Sequence, residues 1–205
     1  MFSKRFRDLA GAFESTVYTD SKGTIAEGAA LEKAFDLLGS VQKNQGIAYV
    51  IGNGGSAGIA SHFSTDLIKS LKIPSMTLFD SNLMTCLSND WGYEKVFSYP
   101  LEQVFRPNDL LIAISSSGKS QNIVQAAEVA QKKNGNLITL SGFSSQNPLR
   151  QLGNLNFWVE RNDYGLVETT HFFLLHTLVD YWNQQSRVRE YAKVLGSQVQ
   201  QNQIL

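Results

Sequence analysis

The chain has 205 residues, 42% hydrophobic and 18% charged, and its 18 Lys and Arg balance its 18 Asp and Glu. This suits one sizeable core with no room for two full domains, so residues 1–205 are read as a single domain. The cancelled charge argues against a nucleic-acid footprint and against a surface held to anionic lipid. No apolar run approaches the ~20 residues of a membrane span. The basic Met1 to Arg7 start lacks the apolar stretch of a secretory signal. The lone Cys86 has no disulfide partner and reads as a small buried hydrophobe. A cytoplasmic protein is expected, with small molecules or neutral proteins as partners.

Residues 1–45 read as two amphipathic helices. Phe2, Phe6, Leu9 and Phe13 recur at helical spacing, as do Ile25, Ala29, Leu31, Ala34, Leu37 and Leu38, with a break near Ser21 to Gly23. No strand is expected before them, so they are not crossovers of a parallel sheet. The apolar stripe of the first is read as a contact with another subunit in preference to core packing.

Residues 46–185 carry the pattern of the fold. Short apolar runs at 48–51, 73–79, 109–114, 136–140 and 156–159 are mostly separated by helical stretches, without the polar alternation of a half-exposed sheet. Such a chain is α/β, a three-layer αβα sandwich. Its ligand belongs at the carboxyl ends of the strands. Residues 186–205 read as a C-terminal tail or helix.

Two of those strand ends are unusual. After 48–51 come Gly52, Asn53, Gly54, Gly55 and Ser56, a tight turn launching a small-residue helix, where backbone N–H groups and a helix N-terminus favour an anion. After 109–114 come Ser115, Ser116, Ser117, Gly118, Lys119 and Ser120, whose hydroxyls and turn amides make a neutral cup for phosphate oxygens. The plainer reading of the second is a serine-rich turn with Ser120 as N-cap. Neither loop has the spacing of a nucleoside-triphosphate or dinucleotide fingerprint.

These residues resemble the sugar isomerase (SIS) domain proteins, and among them the phosphoheptose isomerases. The likeness runs through Gly52 to Ser56, His62 and Phe63, Ser88 to Asp90 with Gly92 and Phe97, Ile114 to Ser120, Ile138 to Gly142, and His171 to His176. It implies a five-stranded parallel, flavodoxin-like doubly wound sheet between helices, assembled as a homotetramer with active sites between subunits. It further implies that Ser56, Ser115, Ser116, Ser117 and Ser120 hold the phosphate of a sugar phosphate. Asn53 and Gly54 would shape the pocket, and Asp90 would bind sugar hydroxyls.

Interconverting a ketose and an aldose moves a proton between adjacent carbons through an enediol, which calls for a base and an acid. His62 and Asp66 are four apart and share a helix face. By resemblance, Asp66 stands where the family has a glutamate base, and His176 is the complementary acid or base. The same resemblance makes His62, Asp66, Glu168 and His176 a ligand set for Zn2+, with Glu168 replacing a glutamine. A metal-free acid–base pair is the competing reading. Eight residues place Glu168 and His176 ~12 Å apart along one helix, near the limit for sharing an ion.

The segment around His176 carries an apolar stripe of Val167, Thr170, Leu174, Leu175, Leu178 and Val179, so residue type alone makes His176 a core histidine. His171 lies on another face and reads as a structural residue or a support to the site. Two departures bear on the substrate. Tyr164, Gly165 and Leu166 replace the usual Ala-Asp-Arg, and Ser70 stands at an arginine's place. The expected activity is isomerisation of sedoheptulose 7-phosphate or a close ketose phosphate, for nucleotide-heptose and surface-polysaccharide synthesis. The alternative is a non-catalytic SIS protein that binds a partner, such as the replication initiator, or senses a sugar phosphate.

Overall fold

Strands β3 (Ala48–Ile51), β5 (Leu110–Ser115) and β7 (Leu155–Val159) are buried at every position, and β6 (Asn136–Gly142) at all but its first. Runs of Val, Ile and Leu without polar alternation need cover on both faces, and helices supply it. On one side α2 (Glu27–Lys43), α3 (Gly55–Asp66) and α7 (Tyr164–Asn202) enclose Val50, Phe63, Ile112, Leu140 and Leu175. On the other, α4 (Ser81–Trp91), α5 (Ser98–Val104) and α6 (Gln121–Lys132) enclose Tyr49, Ile51, Leu111, Phe97 and Ile123. Phe63 and Leu67 are 1% and 0% exposed, and such complete burial stabilises by about 2–3 kcal/mol per side chain. This computed structural model describes the backbone of residues 1–202 and the side chains of residues 1–186 and 188.

With β4 (Ser75–Met76), the parallel strands lie in the order β4-β3-β5-β6-β7, the flavodoxin arrangement, whose switch point falls between β3 and β5. The sheet nevertheless has seven strands, not five. Between α1 (Phe2–Glu14) and α2 the chain forms a hairpin of β1 (Thr16–Asp20) and β2 (Gly23–Ile25), and β1 pairs antiparallel with β7 from Thr16↔Val159 to Asp20↔Leu155. The β-branched and aromatic Thr16-Val-Tyr-Thr suits a strand. Asp20 closes the turn by accepting from the Lys22 amide at 2.8 Å, and Gly23 takes φ 119°. The hairpin covers an edge of β7 that would otherwise stand open. At the opposite edge, the apolar run at 73–79 pairs for only two residues, beginning after Pro74, which has no amide to donate.

The N-terminal helix is tied to the last one. Arg5 donates to both carboxylate oxygens of Asp163, at 2.9 and 3.0 Å, and Asp163 accepts from the Leu166 amide at 3.0 Å as the cap of α7. The guanidinium and the amide bonds hold the Asp163 carboxyl down to about 2. Phe13 meets Phe173 edge to face at 4.6 Å, while Met1, Phe2 and Phe6 remain exposed on the protomer. Residues 186–202 continue α7, and residues 203–205 lie outside the described residues. No described helix is long and apolar enough to cross a membrane.

His171 is 0% exposed, and its Nε2 lies 3.0 Å from the Ser141 carbonyl, so it donates there and supports the end of β6. Burial pushes its pKa from 6.5 down to about 4. The unfolded chain therefore takes up this proton at higher pH than the fold does. Stability falls as pH drops from about 6.5 towards about 4, with a total on the order of 3 kcal/mol. Denaturant titrations across that window should show the loss in the native sequence and a flatter profile in His171→Gln. An unchanged profile in the variant would assign the pH dependence to other groups.

Candidate active site

The turn after β3 is built around glycine. Gly54 has φ 53°, and a Cβ on Gly52 would press into the Ser56 backbone, so the chain can reverse and start α3 within a few residues. After β5, the Gly118 amide donates to the Ser115 carbonyl at 2.9 Å, with φ 64° at Gly118. Because β3 and β5 are neighbours, the two turns face one cavity of about 280 Å³. Asn53, Gly54, Ser56, Ser115, Ser116, Ser117 and Ser120 all line it, and so do Tyr164 and Glu168. Ser120 occupies the N-cap position of α6 but makes no capping bond; its hydroxyl lies 3.2 Å from that of Ser115. The hydroxyls of this lining and the first amides of α3 and α6 are donors of the kind that suit an anion.

Two residues missed in the sequence organise the cup. Asn122 exchanges two hydrogen bonds of 2.9 Å with Asn53, and the Tyr93 hydroxyl donates to the same Asn53 oxygen at 3.0 Å. Asn53 is therefore held across the cavity mouth by α6 and by the segment after α4. Tyr164 forms part of the wall with its ring edge against Phe143, 4.8 Å between centroids. In the sequence it was a departure from a pattern, with no indication that its ring reaches the pocket.

A second group of side chains forms where α3 and α7 run together. The Asp66 carboxylate lies 3.3 Å from His62 Nε2 and 3.8 Å from His176 Nδ1. One ligand atom from each of the three falls within 4.8 Å of the others. Phe172 packs against both imidazoles, at 5.1 Å from His62 and 4.6 Å from His176. The side chain of Asp66 is 18% exposed, against 50% and 41% for the two histidines, so the carboxylate is the sheltered member. Directly after Asp66 the helix widens into a π turn over Leu67–Leu71, a feature frequent at functional sites. The donor set, two imidazole nitrogens and a carboxylate oxygen, suits zinc chemistry or acid–base work.

Glu168 does not join this group. Its carboxylate packs against Gly55, where a Cβ would collide with it, and accepts a long bond of 3.5 Å from Ser116. The reason is helical rise, since the eight residues from Glu168 to His176 span ~12 Å. Asp90 is exposed on α4, engaged with Asn89 at 2.9 Å and Cys86 at 3.7 Å, and is absent from the cavity wall. Cys86 is itself exposed, not buried, because α4 turns that position to solvent.

Residues 18–142 match the family model described as the SIS domain. The sheet order, the paired anion turns and this match define a SIS-domain protein. The chain is 33% identical over 154 residues to the phosphoheptose isomerase of Campylobacter concisus, covering 72% of this chain and 81% of that one. Against the phosphoheptose isomerase of Shewanella frigidimarina it is 30% identical over 185 residues, 86% of this chain and 92% of the other. The solved phosphoheptose isomerase of Francisella tularensis superposes with a TM-score of 0.76 at 25% identity, over 89% of this chain and 96% of that one. The chain belongs to the phosphoheptose isomerase family, and it is an isomerase.

The paired amides predict a specific weakness. Asn122→Ala removes both bonds to Asn53 and should cost about 1–2 kcal/mol of stability. Binding of inorganic phosphate, followed by calorimetry, should weaken as Asn53 loses its position. Unaltered phosphate binding would show that Tyr93 alone suffices to hold Asn53.

Proposed function

We propose that the chain converts sedoheptulose 7-phosphate, or a ketose phosphate close to it, into the aldose heptose 7-phosphate through an enediol. The observation that carries this reading is the pairing of an anion cup with a sheltered carboxylate between two imidazoles. Asp66 accepts a proton from C1, the electron pair forms the C1–C2 double bond, and the C2 oxygen gains a proton from His176. Proton return to C2 and loss of the O1 proton complete the aldose. The phosphate, held by Ser56, Ser115, Ser116, Ser117 and Ser120, takes no part in bond making and fixes the sugar's reach. Asn53 and Gly54 shape the pocket, and Asp90 is assigned to hydroxyls at its approach.

His62, Asp66 and His176 are the residues that would hold Zn2+. Three protein donors with an open position are the pattern of a catalytic site, and the bound ion would polarise the carbonyl oxygen. Glu168, placed at the cup, is a substrate contact in this reading.

Spacing supports an assembly with shared sites. Glu168 and Gly55 meet at the cup, and His176, His62 and Asp66 meet farther along the same two helices, so α3 and α7 run in the same direction. From Ser56 to Asp66 the rise is ~15 Å, and from Glu168 to His176 ~12 Å. A seven-carbon chain with bonds of ~1.5 Å spans under ~10 Å to its phosphate. The carboxylate of one subunit then serves the cup of another, in a homotetramer whose exposed Phe2 and Phe6 are buried on assembly. A cytoplasmic place at the start of nucleotide-heptose synthesis for a surface polysaccharide follows from the substrate.

Incubation with sedoheptulose 7-phosphate in deuterated water should yield aldose and solvent exchange at C1. No exchange, with or without added zinc, would leave the non-catalytic, partner-binding reading in its place. Asp66→Asn should lower kcat by ~10²–10⁴-fold with phosphate binding retained, and Ser120→Ala should chiefly raise KM. Subunits carrying Asp66→Asn mixed with subunits carrying Ser56→Ala should recover activity if sites are shared; no recovery would place each site within one chain. Metal analysis of protein purified without chelators tests zinc, and full activity in metal-free protein would end that part.

A further inference from the structure

A groove between α4, α5 and α6 lies outside the sugar-phosphate cup. One cavity of about 210 Å³ is lined by Trp91, Lys95, Tyr99 and Glu102. A second, of about 360 Å³, also has Lys95 and Glu102 in its wall and continues past Ser98, Gln125, Glu128 and Lys132. The shared residues join the two into one groove.

Its aromatic end is a platform. Trp91 and Tyr99 stack with centroids 4.3 Å apart and planes 23° from parallel, yet they are 49% and 38% exposed. Stacking holds the rings in place and leaves apolar faces in water, an arrangement suited to a ligand with one apolar face and a polar rim.

Its polar end is unsatisfied. The Ser98 hydroxyl and the Gln125 carbonyl oxygen are buried without a hydrogen-bond partner among the described residues. Each such group costs about 1–3 kcal/mol unless something pairs with it. Lys95, Lys132, Glu102 and Glu128 line the same groove, and none of them enters an ion pair among the described residues. Two positive and two negative groups leave no net pull on an anion. A ring of hydroxyls, each both donor and acceptor, can serve ammonium, carboxylate, hydroxyl and amide oxygen together.

We propose that this groove binds a neutral, unphosphorylated saccharide ring, stacked on the Trp91–Tyr99 pair and hydrogen-bonded by Lys95, Ser98, Glu102 and Gln125. The site is separate from the isomerase reaction and does not depend on it.

Of the three tryptophans, Trp158 and Trp182 are buried at 7% and 8% exposure, so a ligand-induced emission change reports on Trp91. Methyl α-D-mannopyranoside and methyl β-D-glucopyranoside are suitable probes, because a locked glycoside cannot isomerise and has no phosphate for the cup. Titrating the native oligomer should give a saturable emission change with Kd of about 1 mM for at least one of them. Glu102→Ala should weaken it at least tenfold, and so should Trp91→Leu, read by saturation-transfer NMR, while Ser120→Ala should leave it unchanged. No saturable change with either glycoside overturns the proposal, as does binding that survives both groove variants. Shielding of Trp91 from acrylamide in the native oligomer would assign the groove to a second copy of the chain. Binding of adenosine with neither glycoside would assign it to a nucleobase, and either result overturns the saccharide site.

Discussion

The parallel pairing of β3 with β5 is the constraint on which the rest depends. Strands that are neighbours in the sheet but separated by β4 and three α-helices in the chain send their following helices to opposite faces, and the crevice between them opens at their carboxyl ends. Both turns there are glycine-bearing: a Cβ on Gly52 would press into the Ser56 backbone, and Gly118 takes φ 64° with the Asn147 side chain where a Cβ would stand. The amides of two helix starts and the hydroxyls of one serine run thus converge on a single cavity. Among the described residues, no cationic side chain lines it. An anion entering the cavity would meet dipoles and hydrogen-bond donors there.

The same glycine economy brings α3 and α7 together. Gly55 gives room for the Glu168 carboxylate, and from that meeting point the two helices run side by side until His176 reaches Asp66. The helices act as a ruler. A carboxylate stands at the cup and another beside the imidazoles, separated by a distance that helical rise dictates. The Arg5–Asp163 pair and the Asp163 cap set the start of α7, and so the register of everything α7 contributes. His171 supports the same region from inside, anchoring α7 to the end of β6 through the Ser141 carbonyl. It does so as a neutral ring, because a buried charge there would have no counterion.

Much of the fold was legible because apolar runs and turn glycines are local signals. The strand at 110–115 and the serine turn after it stand out in the sequence, as does the His62, Asp66 spacing on α3. The hairpin at 16–25 was hidden because its strands are short, because Ile25 also fits the helical spacing that follows it, and because its value lies in covering β7, some 140 residues away. Cys86 is exposed and not buried for a related reason. Composition gives no information on which face of a short helix meets solvent, and α4 turns Cys86 outward.

The α/β class, the two glycine-bearing turns and the chemical types able to move a proton are written in the chain, since each depends on residues within a turn or two of one another. How they are shared out comes from the folded arrangement. Asn122 and Tyr93 converge on Asn53 from two separate elements, Tyr164 enters the cup wall, and Glu168 parts company with His176 although one helix carries both. These are outcomes of packing between segments distant in the chain. No local rule contains them, because the neighbour that selects each position belongs to another element.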